Sequence, residues 1–379
     1  MAVCVLHVGM PKTGTTSIQE SLYHGLDDPA FRYIGLGWTN SASYLVPLFS
    51  EFPERFWRFR AKRYSRARIE QVRQSYAYRL RTALRQARNR SQTPIISAEH
   101  CWQMPPADLE RLRDFLVAEG FVATVVAYVR PIKSFVESAF QQRVKWGHPS
   151  FGPIPWPMPD GHTAFGGWSG TLAMFERIWG PGNLIVRPFV KSALHEACAV
   201  RDFCRTLDIT FDPRKVIHAN HSLCEEAVQF LFAHNRFVQM GTPRSFHRQV
   251  LIARYFERLE GSPFRLHSAI FEPEADRIAD ETRALQERYG IDIDEDLHSA
   301  DHGPCVREKA DMFRYSRASL EWLADASASK PIGSLEGEAA ARAVAGQVER
   351  IYRHPPWRER GEWLMGWCRR TTRWSLQGD

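Results

Sequence analysis

At 379 residues and 44% hydrophobic content, the chain carries enough apolar matter to bury a sizeable core, as one large domain or two modest ones, which excludes disorder as its default state. A formal net charge of +7 points to an anionic partner, whether nucleotide, nucleic acid, acidic glycan or membrane surface, without choosing among them. Seven cysteines, Cys4, Cys101, Cys198, Cys204, Cys224, Cys305 and Cys368, lie scattered without zinc-ligand spacing or a dense even framework, so a reducing compartment fits best.

In chain order, Val3 to Val8 is rich in strand formers and lacks the basic start and small-residue cleavage site of a signal peptide, so it reads as the first strand of the mature fold. A glycine-containing turn follows. From Thr16 to Leu26, Ile18, Leu22 and Leu26 recur at helical spacing. Arg55 to Arg90 is crowded with arginine, yet Ile69, Val72, Tyr76, Leu80, Ala83 and Ala87 form the apolar stripe of an amphipathic helix; most of its arginines read as a solvated face. Pro94 to Ser97 is a second strand, ending at Glu99-His100, and a helix follows from Asp108 to Ala118. Ala123 to Val129 is nearly all apolar, as in a parallel strand covered on both faces, and Asn183 to Arg187 has the same character. The longest apolar runs fall far short of the about 20 residues that cross a bilayer, so a cytoplasmic protein is expected.

Strands alternating with helices predict an α/β fold: a mainly parallel central sheet flanked by helices in a three-layer, P-loop-like architecture, ligands sitting at the carboxyl ends of the strands. The expected partition is one α/β domain over residues 1–300, with the Arg-rich helical insertion at 55–90 and a Pro/Gly-rich loop at 146–168, then a mostly helical extension over 301–379 packed on it.

The strongest chemical signal is Gly9-Met-Pro-Lys-Thr-Gly-Thr-Thr16 between the first strand and its helix. Backbone N–H groups and the positive end of a helix dipole can there cradle an anion, with Lys12 as a point charge and Thr13, Thr15 and Thr16 as hydroxyl donors. It is not a Walker A sequence, because the lysine precedes Gly14 instead of following it, which argues against a magnesium-dependent nucleotide kinase. The pattern Pro-Lys-x-Gly-Thr-Thr, with Ser17-Ile-Gln19 after it, resembles the 5′-phosphosulfate loop of the sulfotransferases that use 3′-phosphoadenosine 5′-phosphosulfate (PAPS). Arg130, closing an apolar strand, and Ser138, eight residues on, are similar to that family's 3′-phosphate signature, and likeness extends through Asn183–Phe189 and Asn220–Leu223 to about residue 235.

What the resemblance implies is a PAPS-dependent sulfotransferase that needs no metal and releases adenosine 3′,5′-bisphosphate. The donor would be held by Pro11, Lys12, Thr13, Gly14, Thr15, Thr16, Arg130 and Ser138, lying across the sheet with one end in the Lys12 turn and the other against Arg130. Sulfuryl transfer needs in-line approach, charge stabilisation and a base for the incoming hydroxyl. Lys12 is the candidate for the leaving oxygen. The family uses histidine or glutamate as base, and the end of the Pro94–Ser97 strand places both side by side: Glu99 is the closer positional match, while His100 would point the other way if the strand continued.

On the acceptor side, Trp146, His148, Trp156 and His162 in the 146–168 loop offer flat faces for a sugar ring, so the expected acceptor is a hydroxyl on a carbohydrate or polysaccharide. The basic face of 55–90 could bind an acidic polysaccharide, and Trp363, Trp367, Arg370 and Trp374 share a helical face compatible with peripheral membrane contact. The alternatives are a P-loop nucleotide kinase and a non-catalytic binder of polyanions; no nucleic-acid recognition module is present.

Overall fold

The computed structural model describes residues 1–152, 167–219, 222–238 and 243–354. In chain order these form β1 (Ala2–His7), α1 (Thr15–Gly25), β2 (Phe31–Tyr33), α2 (Ala42–Phe49), α3 (Trp57–Ala61), α4 (Arg66–Asn89), β3 (Thr93–Ser97), α5 (Pro106–Ala118) and β4 (Phe121–Val129). There follow α6 (Ile132–Lys145), α7 (Trp168–Trp179), β5 (Leu184–Pro188), α8 (Ala199–Thr206), α9 (Glu225–Phe237), α10 (Pro243–Phe256), α11 (Ala275–Tyr289), α12 (Arg317–Ala326) and α13 (Gly337–Arg353). The chain divides into two compact units, one made of Met1–Ile132, Pro155–Asn220 and Ala275–Glu295, the other of Lys133–Ile154, His221–Glu274 and Asp296–Asp379.

The first unit holds a five-stranded sheet in the order β2-β3-β1-β4-β5, parallel at every pairing. Central β1 pairs with β3 through Val5 opposite Ile95 and His7 opposite Ser97, and with β4 through His7 opposite Val126. Alternation along a strand sends successive side chains to opposite faces. Val5, Ile95, Val126 and Tyr128 therefore pack with Ile18 and Leu22 of α1 and Val200, Phe203 and Cys204 of α8. Leu6, Ile96, Val125 and Ala127 are buried on the other face, where α4 meets β3 and both α5 and α7 meet β4. Each fully buried aliphatic side chain of this kind stabilises the fold by about 1.5–3 kcal/mol. The expected mainly parallel α/β sheet between two helical layers is thus the observed architecture.

Two features depart from the sequence reading. The edge strand β2 is three residues long, too short to show a period, and is recruited by pairing Tyr33 with Ile95. The arginines in the second half of α4 are not simply solvated: the Nε groups of Arg81 and Arg85 donate to Glu119 at 3.0 and 3.2 Å, and Arg88 Nη1 donates to the Glu119 carbonyl at 3.1 Å. Glu119 is buried just past the end of α5, and a buried carboxylate requires counter-charge.

The second unit is helical. Buried α9 lies along α13, and Asn235 on α9 donates to the Val144 carbonyl of α6 at 2.8 Å. Within α6, fully buried Lys133 pairs with Glu137 at 2.6 Å, and Glu137 also accepts from the Leu266 N–H and from Arg265.

Candidate functional site

The connection leaving β1 runs toward β2 and β3, whereas the one leaving β4 runs toward β5. In a doubly wound sheet the crevice outside the carboxyl ends of two such strands is where ligands bind, because the loops diverge there. Gly9–Thr16 follows β1 at that point, Arg130 is the first residue after β4, and Glu99 lies two residues beyond the end of β3 on the other side of β1.

The loop's geometry follows from its residues. Lys12 and Gly14 both take left-handed backbone conformations, φ 69° and 74°, turning the chain so that amides converge before α1 begins. Gly14 is the N-cap of α1; no side chain caps the helix and its first turn holds no acidic residue, leaving the helix's positive end available to an anion. Thr13 is fully buried, its hydroxyl donating to the Met10 carbonyl at 2.6 Å and so bracing the loop. Thr15 is likewise buried and Pro11 lies beneath the turn, while Lys12 and Thr16 are half-buried.

Gly9 admits no side chain, since a Cβ there would stand 2.2 Å from Thr15 Oγ1. Gly9→Ala is therefore expected to displace the loop and to weaken anion binding there at least about tenfold, as loss of charge-assisted amide bonds would; titration calorimetry with inorganic pyrophosphate as the probe checks this, and unchanged affinity would remove the loop from the site.

Arg130 reaches back to the loop, its Nη1 donating to the Lys12 carbonyl at 2.8 Å. Its guanidinium also lies 5.6 Å from the Phe189 ring centroid. The same ring abuts Gly14, where an added Cβ would sit 3.1 Å from Phe189 Cε2. Phe189 thus supports both cationic elements, a role for which its place after an apolar strand gave no signal. Behind it, Asp202 on α8 accepts from Tyr128 at 2.8 Å and from Arg187 at 2.6 and 3.1 Å, and takes the His195 N–H at 3.0 Å. These charge-assisted bonds fix the segment between β5 and α8.

A second unforeseen group lies under the loop. His7 is fully buried, and burial pushes its pKa down to about 3, so the ring is neutral. Its Nδ1 is 2.8 Å from Ser97 Oγ, to which Gln19 Nε2 also donates at 3.2 Å. This cluster ties β1, β3 and α1 together at the strand ends that lead into the Lys12 loop and the Glu99 turn. A histidine inside an otherwise apolar strand was the signal available for it.

β3 stops at Ser97, and Glu99 opens a short 3-10 turn running to Gln103. The strand alternation expected to send His100 to the opposite side is therefore broken. Glu99 is half-buried; desolvation raises its pKa and the nearby Lys12 charge opposes the rise. His100 is exposed, and partial desolvation lowers its pKa.

Lys12, Arg130 and Glu99 are thus brought together at one sheet edge. Ser138, half-buried on α6, belongs to the second unit, as do Trp146, which is 40% exposed just past that helix, and exposed His148. Burial and the charge of Arg143 lower the His148 pKa. Trp156, His162 and the tail residues Trp363, Trp367, Arg370 and Trp374 lie outside the described residues. No helix among the described residues is long and apolar enough to cross a membrane.

No family model and no curated protein matches the chain. Among solved structures, a sulfotransferase domain from the curacin biosynthetic pathway superposes with a TM-score of 0.32 at 14% identity, over 57% of this chain and 77% of that one. A superposition that loose carries no inference, and what the protein does must be argued from the residues at the sheet edge.

Proposed function

We propose that the protein is a sulfotransferase that moves a sulfuryl group from PAPS to a hydroxyl, on a carbohydrate or polysaccharide. The observation that carries this reading is the juxtaposition, on adjacent strands β3-β1-β4, of a carboxylate, a lysine-bearing glycine loop and an arginine bonded to that loop. PAPS supplies, when bound, a sulfuryl group activated by its anhydride with phosphate.

The residues of the chain supply the rest. Amides at the start of α1 hold the 5′ end of the donor, and the Lys12 ammonium meets the charge that develops on the oxygen linking phosphorus to sulfur. Arg130 offers a planar two-pronged donor to the 3′-phosphate, with Ser138 as a further hydroxyl. Glu99 takes the proton from the acceptor hydroxyl as the new S–O bond forms and the bond to the phosphate oxygen breaks; His100 is the second candidate for that role. No covalent intermediate is required. Trp146 and His148, with Trp156 and His162, are proposed to border the acceptor, and the site is proposed to face the cytoplasm, with the C-terminal tail as a peripheral membrane contact.

The test is calorimetric titration with adenosine 3′,5′-bisphosphate in a metal chelator, run beside ATP with and without magnesium, followed by transfer of labelled sulfate from PAPS to a glycan panel. Micromolar bisphosphate binding in chelator with transfer to a hydroxyl is the expected result. Preference for magnesium-ATP would overturn it in favour of a kinase.

A further inference from the structure

The Arg-rich segment divides in two. In the second half of α4 the arginines, though exposed, each have a partner in the fold: Arg81, Arg85 and Arg88 bond Glu119, and Arg79 Nη2 donates to the Leu36 carbonyl at 2.6 Å. The segment just before α4 differs. Arg55, Arg60 and Lys62 are exposed and form no ion pair among the described residues, and they alternate with part-exposed aromatic rings. Trp57 is 52% and Phe52 43% exposed. Arg55 lies over Phe52 at 4.4 Å, and Arg58 lies over both Trp38 at 3.8 Å and Trp57 at 5.1 Å. Guanidinium groups seated on ring faces are held there by the ring quadrupole, so the segment presents fixed cations beside part-exposed aromatic surface.

The position of this patch is set by the sheet. Trp38 belongs to the loop that leaves β2 and returns to β3, where Ser41 N–H donates to the Ser97 carbonyl at 2.9 Å. The loop therefore lies at the carboxyl edge, on the β3 side that carries Glu99, away from the β1-β4 crevice. Arg79 meets the same loop at Leu36. The part of α4 before Arg79, rising about 1.5 Å per residue, carries the helix about 20 Å past that edge, and α3 lies in that stretch over Trp38. Glu99 thus stands between the nucleotide loop on one side and the cationic aromatic patch on the other.

Resting on the sulfotransferase reading, we propose that the Phe52–Lys62 patch binds the acceptor, and that the acceptor is an acidic glycan, its sugar rings lying on Trp57 and Phe52 and its carboxylate or sulfate groups meeting Arg55, Arg60 and Lys62. Placement at the same carboxyl edge, on the β3 side that carries Glu99, favours this over a nucleic acid. Guanidinium groups seated on rings bind anions with little rotamer freedom left to lose.

The experiment uses the full chain and two variants, Trp57→Ala and the triple charge reversal Arg55→Glu/Arg60→Glu/Lys62→Glu. Binding is measured at fixed ionic strength to a short polyuronate, to neutral maltohexaose, to single-stranded oligothymidylate and to vesicles containing phosphatidylglycerol, with thermal melting and bisphosphate affinity as folding controls. Polyuronate binding is expected to fall about tenfold or more in the triple variant and about threefold or more in Trp57→Ala, with maltohexaose not bound and both controls unchanged. Polyuronate affinity equal in all three proteins would overturn the proposal, as would tighter binding of oligothymidylate or of the vesicles than of polyuronate. The donor reading is separable: wild-type protein that ignores the bisphosphate yet loses polyuronate in the variants sinks the sulfotransferase and keeps the glycan surface, while the converse sinks only the surface.

Discussion

Replacing Lys12 by alanine is expected to lower sulfuryl transfer from PAPS by about 10²- to 10³-fold, the cost of removing one preorganised charge from the developing oxyanion, while the melting temperature stays within about 2 °C of wild type. Alanine is the informative substitution because Lys12 sits at φ 69°. Lysine already carries a Cβ into that left-handed region, at roughly 1–2 kcal/mol, and alanine keeps that cost unchanged. Lys12→Ala therefore removes the ammonium and leaves the loop, and Lys12→Gly would add a change in backbone freedom. The carbonyl that accepts from Arg130 is retained in both, so the arginine keeps its anchor. Bisphosphate affinity should fall much less than turnover, since the amides and Arg130 still hold the phosphates. The check is a kcat and KM measurement with labelled PAPS beside calorimetry of the bisphosphate. Transfer within a factor of about ten of wild type would remove Lys12 from the chemistry.

Lys12, Arg130 and Glu99 were legible as neighbours at one sheet edge because each stands just past a strand. An apolar run with strand formers, then a glycine turn, then helical spacing, defines β1, the loop and α1 from local pattern alone, and the all-apolar β4 announces Arg130 as the residue where it ends. Parallel pairing carries every such strand end to one edge, whatever the order of the strands. What local pattern could not supply is anything set by distant partners. β2 exists only because β3 offers it a pairing edge, and the arginines of α4 look solvated until Glu119, 34 to 38 residues on, is buried beside them. Phe189 gains its position from Gly14 and Arg130, neither of them a sequence neighbour. The turn at Glu99–Gln103 was equally hidden, since strand alternation stops at Ser97 and does not govern where His100 points.

Glu99→Gln is expected to lower transfer by about 10²- to 10⁴-fold, the range for loss of a positioned base, with bisphosphate affinity unchanged or improved because a negative charge beside Lys12 has gone. The carboxylate works as a base only when ionised. Desolvation raises its pKa, so wild-type activity should climb with pH along a limb lying above the usual carboxylate value, and that limb should vanish in Glu99→Gln. Lys12 pulls in the opposite direction; in Lys12→Ala the same limb, read from residual activity, should move to still higher pH. The effect on stability has a definite sign. A carboxylate whose folded pKa lies above its unfolded one binds more protons folded than unfolded between the two values, so stability falls as pH rises through that window. The folded state carries the cost of the ionised group at neutral pH and escapes it in acid. Glu99→Gln should therefore melt higher than wild type near neutrality, with the difference closing below the unfolded carboxylate pKa. Thermal melts across pH 4 to 8, run beside the pH–rate profile, read both quantities on the same protein. A variant that loses activity and melts lower at neutral pH would mean that Glu99 is a structural counter-ion to Lys12. Loss of activity together with a gain in stability is what a base held in an unfavourable environment requires.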